Sequence, residues 1–403
     1  MKAHILIIAD GRSDTARSWI RNILSLGYRV SLVSTFPCHP PEGLEHFLTL
    51  PIAFSRFSRK VTTGVPPTNQ KKSSLKNMIR RYSAGFQTLR YFAGPLTISR
   101  YTTPLVNFIQ EIQPDLVHAL RIPFEGMLGA STPQGIPFLA ATWGNDLTLH
   151  AKGSFLMRRF TRRCLERADG LTSDTHRDIR LAQTWGLKSE APTLVVPGCG
   201  GLDLDAILQT SDSESDTFNI PESGDWVINP RGLRPDSIHQ DVFLAALPEV
   251  LAQHPKTIFI CPALAGKSRI EARIRELGIE EQVFLLPRLP RAPLWALMKN
   301  SQVFVSPSSH DGTPNTLLEA MACGCFPVAG DIESLREWIE PSVNGLLVDP
   351  KDPKELAGAI LQALESAELR RQASERNLAI IRSRADRETT LPEIDRFYTR
   401  FLS

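Results

Sequence analysis

The sequence predicts an α/β protein with two doubly wound domains that face each other across a cleft. Apolar runs of strand length alternate with helix-length amphipathic stretches in both halves of the 403 residues. Most of these runs are continuously apolar, as in parallel strands that are buried on both faces. The alternation also restarts after a polar segment near the middle of the chain, which indicates a second domain of the same class.

The first half opens as a βαβ unit. HILIIA is followed by a loop at 10–13, a helix that ends near Gly27, and the strand YRVSLVS. Further strands are predicted in PDLVHAL, IPFLAATW, LTSDT and LVVPG, with a basic helix at about 153–168. The first domain is therefore expected to span 1–206.

The second half restarts at DWVINPRGL, after QTSDSESDTFNIPESG, which has no apolar period. Strands are predicted in TIFICPA, QVFLLPRL, VFVS, FPVA and GLLVDP, and helices at 241–252, 268–277 and 353–380. We expect an exposed linker at 207–224, a second domain at 225–385, and a helix at 386–403 that crosses back to the first domain.

Composition favours a cytoplasmic globular protein. The net charge of +3 does not by itself indicate nucleic acid, and no nucleic-acid-binding motif accompanies it. The six cysteines form no CxxC pair, so reduced core thiols are expected and no metal site. The apolar run at 5–9 is too short for a signal peptide core, and no run approaches the ~18 residues of a membrane span.

The segment VFVSPSSHDGTPNTLLEAMACGCFPVAG at 303–330 is the most informative part of the chain. It predicts strand, loop, helix and strand, a βαβ unit whose loop lies at the ligand-binding edge of a parallel sheet. The start of the helix exposes backbone N–H groups and a partial positive charge that suit phosphate. Asp311 in the loop and Glu319, about one and a half turns into the helix, bracket this site. Such a site suits a sugar nucleotide.

This segment resembles the donor-binding signature of the family 4 glycosyltransferases, in which two glutamates are separated by seven residues. The fitting positions are Pro307, Ser308, Gly312, Pro314, Leu318, Glu319, Ala320, Met321, Ala322, Gly324, Pro327, Val328 and Ala329. Asp311 replaces the first glutamate and keeps its charge. The resemblance implies the GT-B fold, which has two Rossmann-like domains. It is strong at about 283–362 and weak at 36–110.

The resemblance also implies roles for individual residues. Asp311 would hold sugar hydroxyls, Glu319 would hold the ribose, and the backbone from Gly312 to Thr316 would line sugar and phosphates. The full set of candidate donor-binding residues is Gly312, Thr313, Pro314, Asn315, Thr316, Leu317, Glu319, Arg234, Lys267 and Leu289.

Arg231 matches the family's diphosphate-binding arginine, and a guanidinium fits phosphate oxygens in a bidentate fork. The lysine that usually follows is absent, because 238–240 reads Ile-His-Gln. Arg234 or Lys267 is the alternative source of a second positive charge. A pair of solvated surface arginines is the other interpretation of Arg231 and Arg234.

In the first domain, Gly11 and Arg12 follow the first strand, where the family commonly has two glycines. Trp143 stands where many members have histidine, and Asp146 is a candidate for orienting the acceptor hydroxyl or the sugar. His118 also matches a family position. The alternatives are a turn without a ligand role for Gly11, an N-cap for Asp146 and a structural histidine for His118.

The stretch 46–110 contains ten Lys or Arg and no Asp or Glu, with aromatic residues interleaved. Together with the arginines of the 153–168 helix, this stretch predicts either a surface that binds the anionic inner face of a membrane or a solvated or disordered basic loop.

The leading hypothesis is a retaining hexosyltransferase, with Asp311, Arg231 and Asp146 as its candidate catalytic residues. It would use a nucleotide diphosphate sugar, a glycan or lipid-linked acceptor and no other cofactor. The alternatives are a nucleotide-sugar-binding protein without transfer activity and a GT-B epimerase or phosphorylase. The sequence does not specify the sugar, the acceptor or the oligomeric state.

Overall fold

The computed structural model shows two α/β units, each built around its own parallel sheet, and describes residues 2–55, 90–221, 223–234 and 236–402. The first unit comprises Met1–Ser173, Asp178–Val195 and Glu393–Ser403. The second comprises Asp174–Arg177 and Val196–Pro392.

The sheet of the first unit has seven parallel strands in the order β3-β2-β1-β4-β5-β6-β7. They are β1 (His4–Ala9), β2 (Arg29–Ser34), β3 (Phe47–Thr49), β4 (Leu116–Ala119), β5 (Phe138–Thr142), β6 (Gly170–Ser173) and β7 (Thr193–Val195). The helices that follow these strands are α1 (Asp14–Ser25), α2 (Ile98–Ile112), α3 (Phe155–Arg167) and α4 (His176–Thr184). Shorter helical turns occur at Pro95–Thr97, Ile122–Gly126, Met127–Gly129 and His150–Lys152.

The sheet of the second unit has six parallel strands in the order β10-β9-β8-β11-β12-β13. They are β8 (Trp226–Ile228), β9 (Ile258–Cys261), β10 (Val283–Leu285), β11 (Val303–Ser306), β12 (Phe326–Gly330) and β13 (Leu346–Val348). The remaining helices are α5 (Leu204–Gln209), α6 (Gln240–Gln253), α7 (Ser268–Leu277), α8 (Arg291–Lys299), α9 (Asn315–Ala322), α10 (Pro353–Glu365), α11 (Ala367–Arg384) and α12 (Arg387–Thr399).

Both faces of the second sheet are buried, which explains its unbroken apolar runs. Val227 of β8 packs into one hydrophobic cluster, while its neighbours Trp226 and Ile228 pack into another. Side chains alternate between the faces of a strand, so a strand covered on both faces must be apolar throughout. The predicted fold class of two parallel-sheet α/β domains is confirmed.

The predicted linker at 207–224 is largely exposed, as expected, but part of it is helical. Its first residues end α5, and Asp212–Phe218 forms a 3-10 helix that packs against α8. The Lys299 ammonium donates to the carbonyls of Leu208 and Thr210 at 2.8 and 2.7 Å. The polar side chains correctly indicated exposure, but they gave no sign of the short helix or of its contacts with α8.

The predicted helix at 353–380 is two helices, α10 and α11. Ser366 lies between them, and its hydroxyl accepts from the Leu369 N–H as an N-cap. α2 was not predicted, and it carries Pro104 within its span. The six cysteines are free, as expected for reduced thiols. No helix within the described ranges is both long enough and apolar enough to span a bilayer.

Candidate functional site

The order in which strands are added to the second sheet reverses between β8 and β11. The strongest candidate residues follow these two strands. β9 and β10 extend the sheet on one side of β8, and β11 to β13 extend it on the other. Ligands of open α/β sheets bind beyond the carboxyl ends of strands at such a point. We call the segments 229–240 and 307–316, which begin there, the switch-point loops.

Arg231 and Asp311 form a buried ion pair across the switch-point loops. One guanidinium nitrogen contacts an Asp311 carboxylate oxygen, and another donates to the Thr316 hydroxyl at 2.9 Å. The two residues are 5% and 8% exposed. The Nε of Arg231 is also buried, and within the described part of the chain it has no hydrogen-bond acceptor. The guanidinium is therefore held in place with one donor group still available.

Two amides fix the backbone that carries Arg231. The Asn229 side chain donates to Gln240 at 2.9 Å and accepts from the Arg231 N–H at 3.2 Å. The Gln240 amide in turn donates to the Arg231 carbonyl. Gln240 lies where the family's lysine was expected, so this position supports the arginine without adding a second charge.

The loop after Asp311 approaches Asp174 closely, which requires glycine at position 312. A Cβ there would lie 2.4 Å from the Asp174 carboxylate. The neighbouring Thr313 donates its N–H to the same carboxylate at 3.1 Å, and its hydroxyl accepts from the Trp338 indole at 2.8 Å. Ser334 donates to the Asp311 carbonyl at 2.8 Å. This loop is thus fixed on several sides.

α9 begins directly after this loop, without a side-chain cap. Pro314 is its N-cap residue, and a proline side chain cannot accept from the first N–H groups of the helix. Asn315 and Thr316 occupy its first turn and are partly exposed. Glu319 lies further along and is 7% exposed. An uncapped helix start beside a guanidinium suits an anion.

The other predicted donor-binding residues are not joined to the Arg231–Asp311 pair by any contact that the described residues show. Leu317 is 1% exposed and packs in the core, so only its backbone is available to a ligand. Leu289 is partly buried against the same cluster. Arg234 is exposed, and Lys267 is the N-cap residue of α7. No contact that the described residues show joins either cation to Asp311.

The loop after β1 in the first unit is also tightly packed. The Gly11 N–H donates to Ser34 Oγ at 3.1 Å, and a Cβ on Gly11 would lie 2.5 Å from the Cys38 sulfur. Arg12 donates from two nitrogens to the Asp10 carboxylate, at 3.0 and 2.9 Å. Glycine is therefore required at position 11 because the loop lies against the end of β2.

Asp146 is a positioning residue in this structure. Its side chain is 0% exposed, and it accepts from the Arg121 guanidinium at 2.8 Å and from the N–H groups of Trp143 and Ile122. These backbone donors precede Asp146, so it is not an N-cap. Burial raises the pKa of the carboxyl, while Arg121 opposes that shift. Trp143, in contrast, lines a cavity of the first unit.

His118 was a candidate site residue with a structural histidine as the alternative, and the structure supports the alternative. This side chain is 0% exposed, and its two nitrogens contact the Tyr398 hydroxyl at 2.8 Å and the Thr172 hydroxyl at 3.2 Å. Burial lowers the pKa of His118 to about 3, so the ring is neutral. The alternation of β4 explains this placement, because Val117 and Ala119 face one hydrophobic cluster and His118 faces away from it.

The sequence analysis missed Asp174, Gln240 and Ser334, which fix the switch-point loops, and Arg90 and Glu125 in the first unit. The spacing of Asp174 from β6 gave a weak signal, since polar residues after parallel strands gather at one sheet edge. Among the described residues, no group of three or more His, Cys, Asp or Glu is arranged to hold a metal ion.

Comparison with known structures shows which fold these units form. Sucrose-phosphate synthase from Thermosynechococcus elongatus superposes with a TM-score of 0.75 at 17% identity, covering 99% of both chains. Anabaena HepE, in complex with UDP-glucose, gives a TM-score of 0.70 at 19% identity and covers 99% of this chain and 100% of its own. The chain has the GT-B fold.

Comparison of sequences narrows the class. Residues 218–378 match the family model for glycosyl transferases group 1. The D-inositol 3-phosphate glycosyltransferase of Acidothermus cellulolyticus is 29% identical over 211 residues, which cover 49% of this chain and 46% of the relative. The chain thus matches about half the length of that relative. The similarity to the group 1 glycosyl transferases therefore lies in the second unit, and the chain as a whole shares the GT-B fold.

Proposed function

We propose that the chain is a retaining, family 4-type hexosyltransferase that uses a nucleotide diphosphate sugar. The supporting observation is the buried pair of Arg231 and Asp311 beside the uncapped start of α9. The two loops follow adjacent strands, so cationic and anionic groups meet where a diphosphate-linked sugar would lie. HepE, a structural neighbour, has been crystallised with UDP-glucose, which supports the same donor class here.

Arg231 is the proposed partner of the donor diphosphate. Its available Nε–H and the backbone at the start of α9 would stabilise negative charge on the phosphates. The same interactions would strengthen as the sugar–phosphate bond breaks and charge develops on the leaving group. Arg234, which is exposed in the same loop, is a candidate for a further phosphate contact.

Asp311 and Glu319 are the proposed contacts for the two sugar rings of the donor. Asp311 would accept from hydroxyls of the transferred hexose while it orients Arg231, and Glu319 would accept from the ribose. In the mechanism that the family resemblance implies, a donor phosphate oxygen takes the proton of the acceptor hydroxyl. The chain then needs no dedicated base, so Trp143 in place of histidine is compatible with transfer.

Glu319→Ala tests this assignment. Loss of the carboxylate should weaken UDP-glucose binding, measured by calorimetry, by about tenfold or more, as for a hydrogen bond to a charged group. Glu281→Ala is the control, because Glu281 is an exposed glutamate of the same unit. Unchanged donor affinity in Glu319→Ala, with its Tm preserved, would count against the proposal.

A nucleotide-sugar-binding protein without transfer activity is the second candidate. Gln240 and His239 occupy the stretch of the expected lysine, and their side chains contact the Arg231 carbonyl and the Ser309 hydroxyl, so the lysine side chain has no direct replacement there. Donor turnover separates the two candidates. Release of UDP from UDP-glucose that depends on an added acceptor supports transfer, and binding without any acceptor-dependent release supports the alternative.

We further propose peripheral association of the first unit with an anionic membrane surface at the cytoplasmic face. Phe155 is 73% exposed at the start of α3, and Leu96, on the turn that packs against α3, is 59% exposed. Arg158, Arg159 and Arg163 are exposed on the same helix. Most of the basic stretch at 46–110, residues 56–89, lies outside the described residues. Co-sedimentation with anionic but not neutral vesicles, lost in Phe155→Ser, is the expected result.

A further inference from the structure

The first unit contains a cavity of about 470 Å³, and two of the residues that the sequence analysis selected in this domain, Arg12 and Trp143, line it. The segments that follow β1, β2, β4 and β5 supply Asp10, Phe36, Glu125 and Trp143 to its lining. The sheet order reverses between β1 and β4, so this is the switch point of the first sheet. Its volume falls in the range of about 300–1,000 Å³ that is typical of small-molecule sites. We call it the arginine cavity, because Arg12, Arg90 and Arg121 line it.

Two of these three arginines are already paired with carboxylates. Arg12 forms a fork with Asp10, and its guanidinium lies 3.7 Å from the centre of the Phe36 ring. Arg121 pairs with the buried carboxylate of Asp146 at 2.8 Å. Their charges are therefore largely balanced within the protein.

Arg90 differs from the other two. Its guanidinium lies 4.6 Å from the centre of the Phe124 ring and 5.6 Å from that of Phe36. In the ranges that the structure describes, no carboxylate lies within 4 Å of it, and its buried Nε has no hydrogen-bond partner. Aromatic rings orient a guanidinium but do not neutralise it. Arg90 is thus a fixed cation whose donors are available.

Glu125 adjusts the charge of the same cavity. It is 4% exposed and accepts from the Thr35 hydroxyl at 2.5 Å. Burial raises the pKa of Glu125 to about 7, against the effect of Thr35 and of Arg121. The other charged groups that act on it or on Arg90 are Asp10 and Arg121. Near neutral pH, Glu125 therefore cancels only part of the charge on Arg90.

The backbone at this edge is strained in the way that binding sites often are. Arg121 has a φ of 114° and Phe124 a φ of 72°, although neither is glycine. Residues held in such conformations cost roughly 1–3 kcal/mol each and cluster at ligand sites. Both strained residues, and Glu125 beside them in the chain, line the cavity.

We propose that the arginine cavity binds the phosphate group of a phosphorylated, hydroxyl-bearing ring, and that Arg90 is the main anchor. The guanidinium fork matches phosphate oxygens, and the aromatic residues Trp143 and Tyr91 line the same cavity and could pack against the ring. Under the proposed function, on which this role depends, the ring is the acceptor. The phosphate belongs to a soluble sugar or polyol phosphate or to a lipid headgroup, and both present the same chemistry to Arg90.

Calorimetry of the full chain with glucose 6-phosphate and D-inositol 3-phosphate tests the proposal. At least one ester should bind about tenfold or more tightly than its unphosphorylated ring, and Arg90→Met should remove that difference. Arg100→Met is the control, since Arg100 is an exposed arginine outside the cavity lining. Glu125→Gln should strengthen ester binding at pH 8, because it removes a negative charge near Arg90.

A second arm separates the two sources of the phosphate. If both soluble esters fail to bind, phosphatidylinositol vesicles should bind the chain, and Arg90→Met should weaken that binding while Arg100→Met should not. Failure of both the esters and the vesicles overturns the proposal. Equal affinity for phosphorylated and unphosphorylated rings also overturns it, as does unchanged ester binding by a folded Arg90→Met protein. Arg90-dependent ester binding without UDP-glucose turnover would overturn the proposed function and leave the phosphate site standing.

Discussion

The switch-point loops of the second unit and the arginine cavity of the first unit treat buried charge in different ways. In the second unit, Arg231 is matched by Asp311 at close range and braced by Asn229 and Gln240. In the first unit, the Arg90 guanidinium lies 5.6 and 4.6 Å from two aromatic ring centres, and no carboxylate of the described residues lies within 4 Å of it. In a matched pair, each charge is compensated inside the protein, and a ligand must replace one partner of the pair. An unmatched cation selects for an anion from outside the protein.

Arg231→Ala should have the largest effect on stability, because it removes one partner of the buried ion pair with Asp311. Removing one partner of a buried pair leaves an uncompensated charge, which costs about 3–5 kcal/mol of the free energy of unfolding. Urea denaturation measures this loss, and calorimetry with UDP-glucose should show that donor binding is lost as well.

The double variant Arg231→Met with Asp311→Leu sharpens the same test. Apolar replacement of both partners should recover much of the stability but none of the donor affinity. Recovery of donor binding would show that the pair is structural only. Arg273→Ala, which removes an exposed pair with Glu276, should change stability by less than about 1 kcal/mol.

Glu125→Gln should change how stability depends on pH. Folding raises the pKa of Glu125 from its ordinary 4.5 to about 7, so the folded state binds the proton more tightly than the unfolded state does. This contribution is complete below about pH 4.5 and is lost as the pH rises to about 7, by at most about 3 kcal/mol. Denaturation at pH 5 and pH 8 should show a smaller difference for Glu125→Gln than for the wild type. An equal difference in both proteins would mean that Glu125 titrates normally.

Gly312→Ala should have a smaller effect, which tests how tightly the switch-point loops are packed. The added methyl would overlap the Asp174 carboxylate, at an expected cost of about 2 kcal/mol and with weaker UDP-glucose binding. Gly358→Ala is a control of opposite sign. That glycine lies within α10 with no neighbour within 4 Å, so alanine should stabilise the helix by roughly 0.5–1 kcal/mol.

The sequence predicted the second unit better than the first for a physical reason. The groups from Asp311 to Glu319 lie within one βαβ unit, so local periodicity and turn residues were enough to place them. The arginine cavity instead gathers residues from 10 to 150 along the chain, and Arg90 carries no motif. Only the sheet order brings them together. Local sequence also left open whether His118 faces a ligand or the interior, because that depends on which face of β4 each side chain occupies.

The packing around Tyr398 has a consequence for how the protein is made. This hydroxyl contacts His118, which precedes it by 280 residues, and accepts from the Trp19 indole at 2.9 Å. The segment that carries Tyr398 leaves the ribosome only after all of β1 to β13. During translation, Trp19 and His118 of the first unit therefore lack their contacts with Tyr398 until this segment is made. A nascent chain stalled before this segment should therefore be bound by chaperones, and release of the last helix should end that binding.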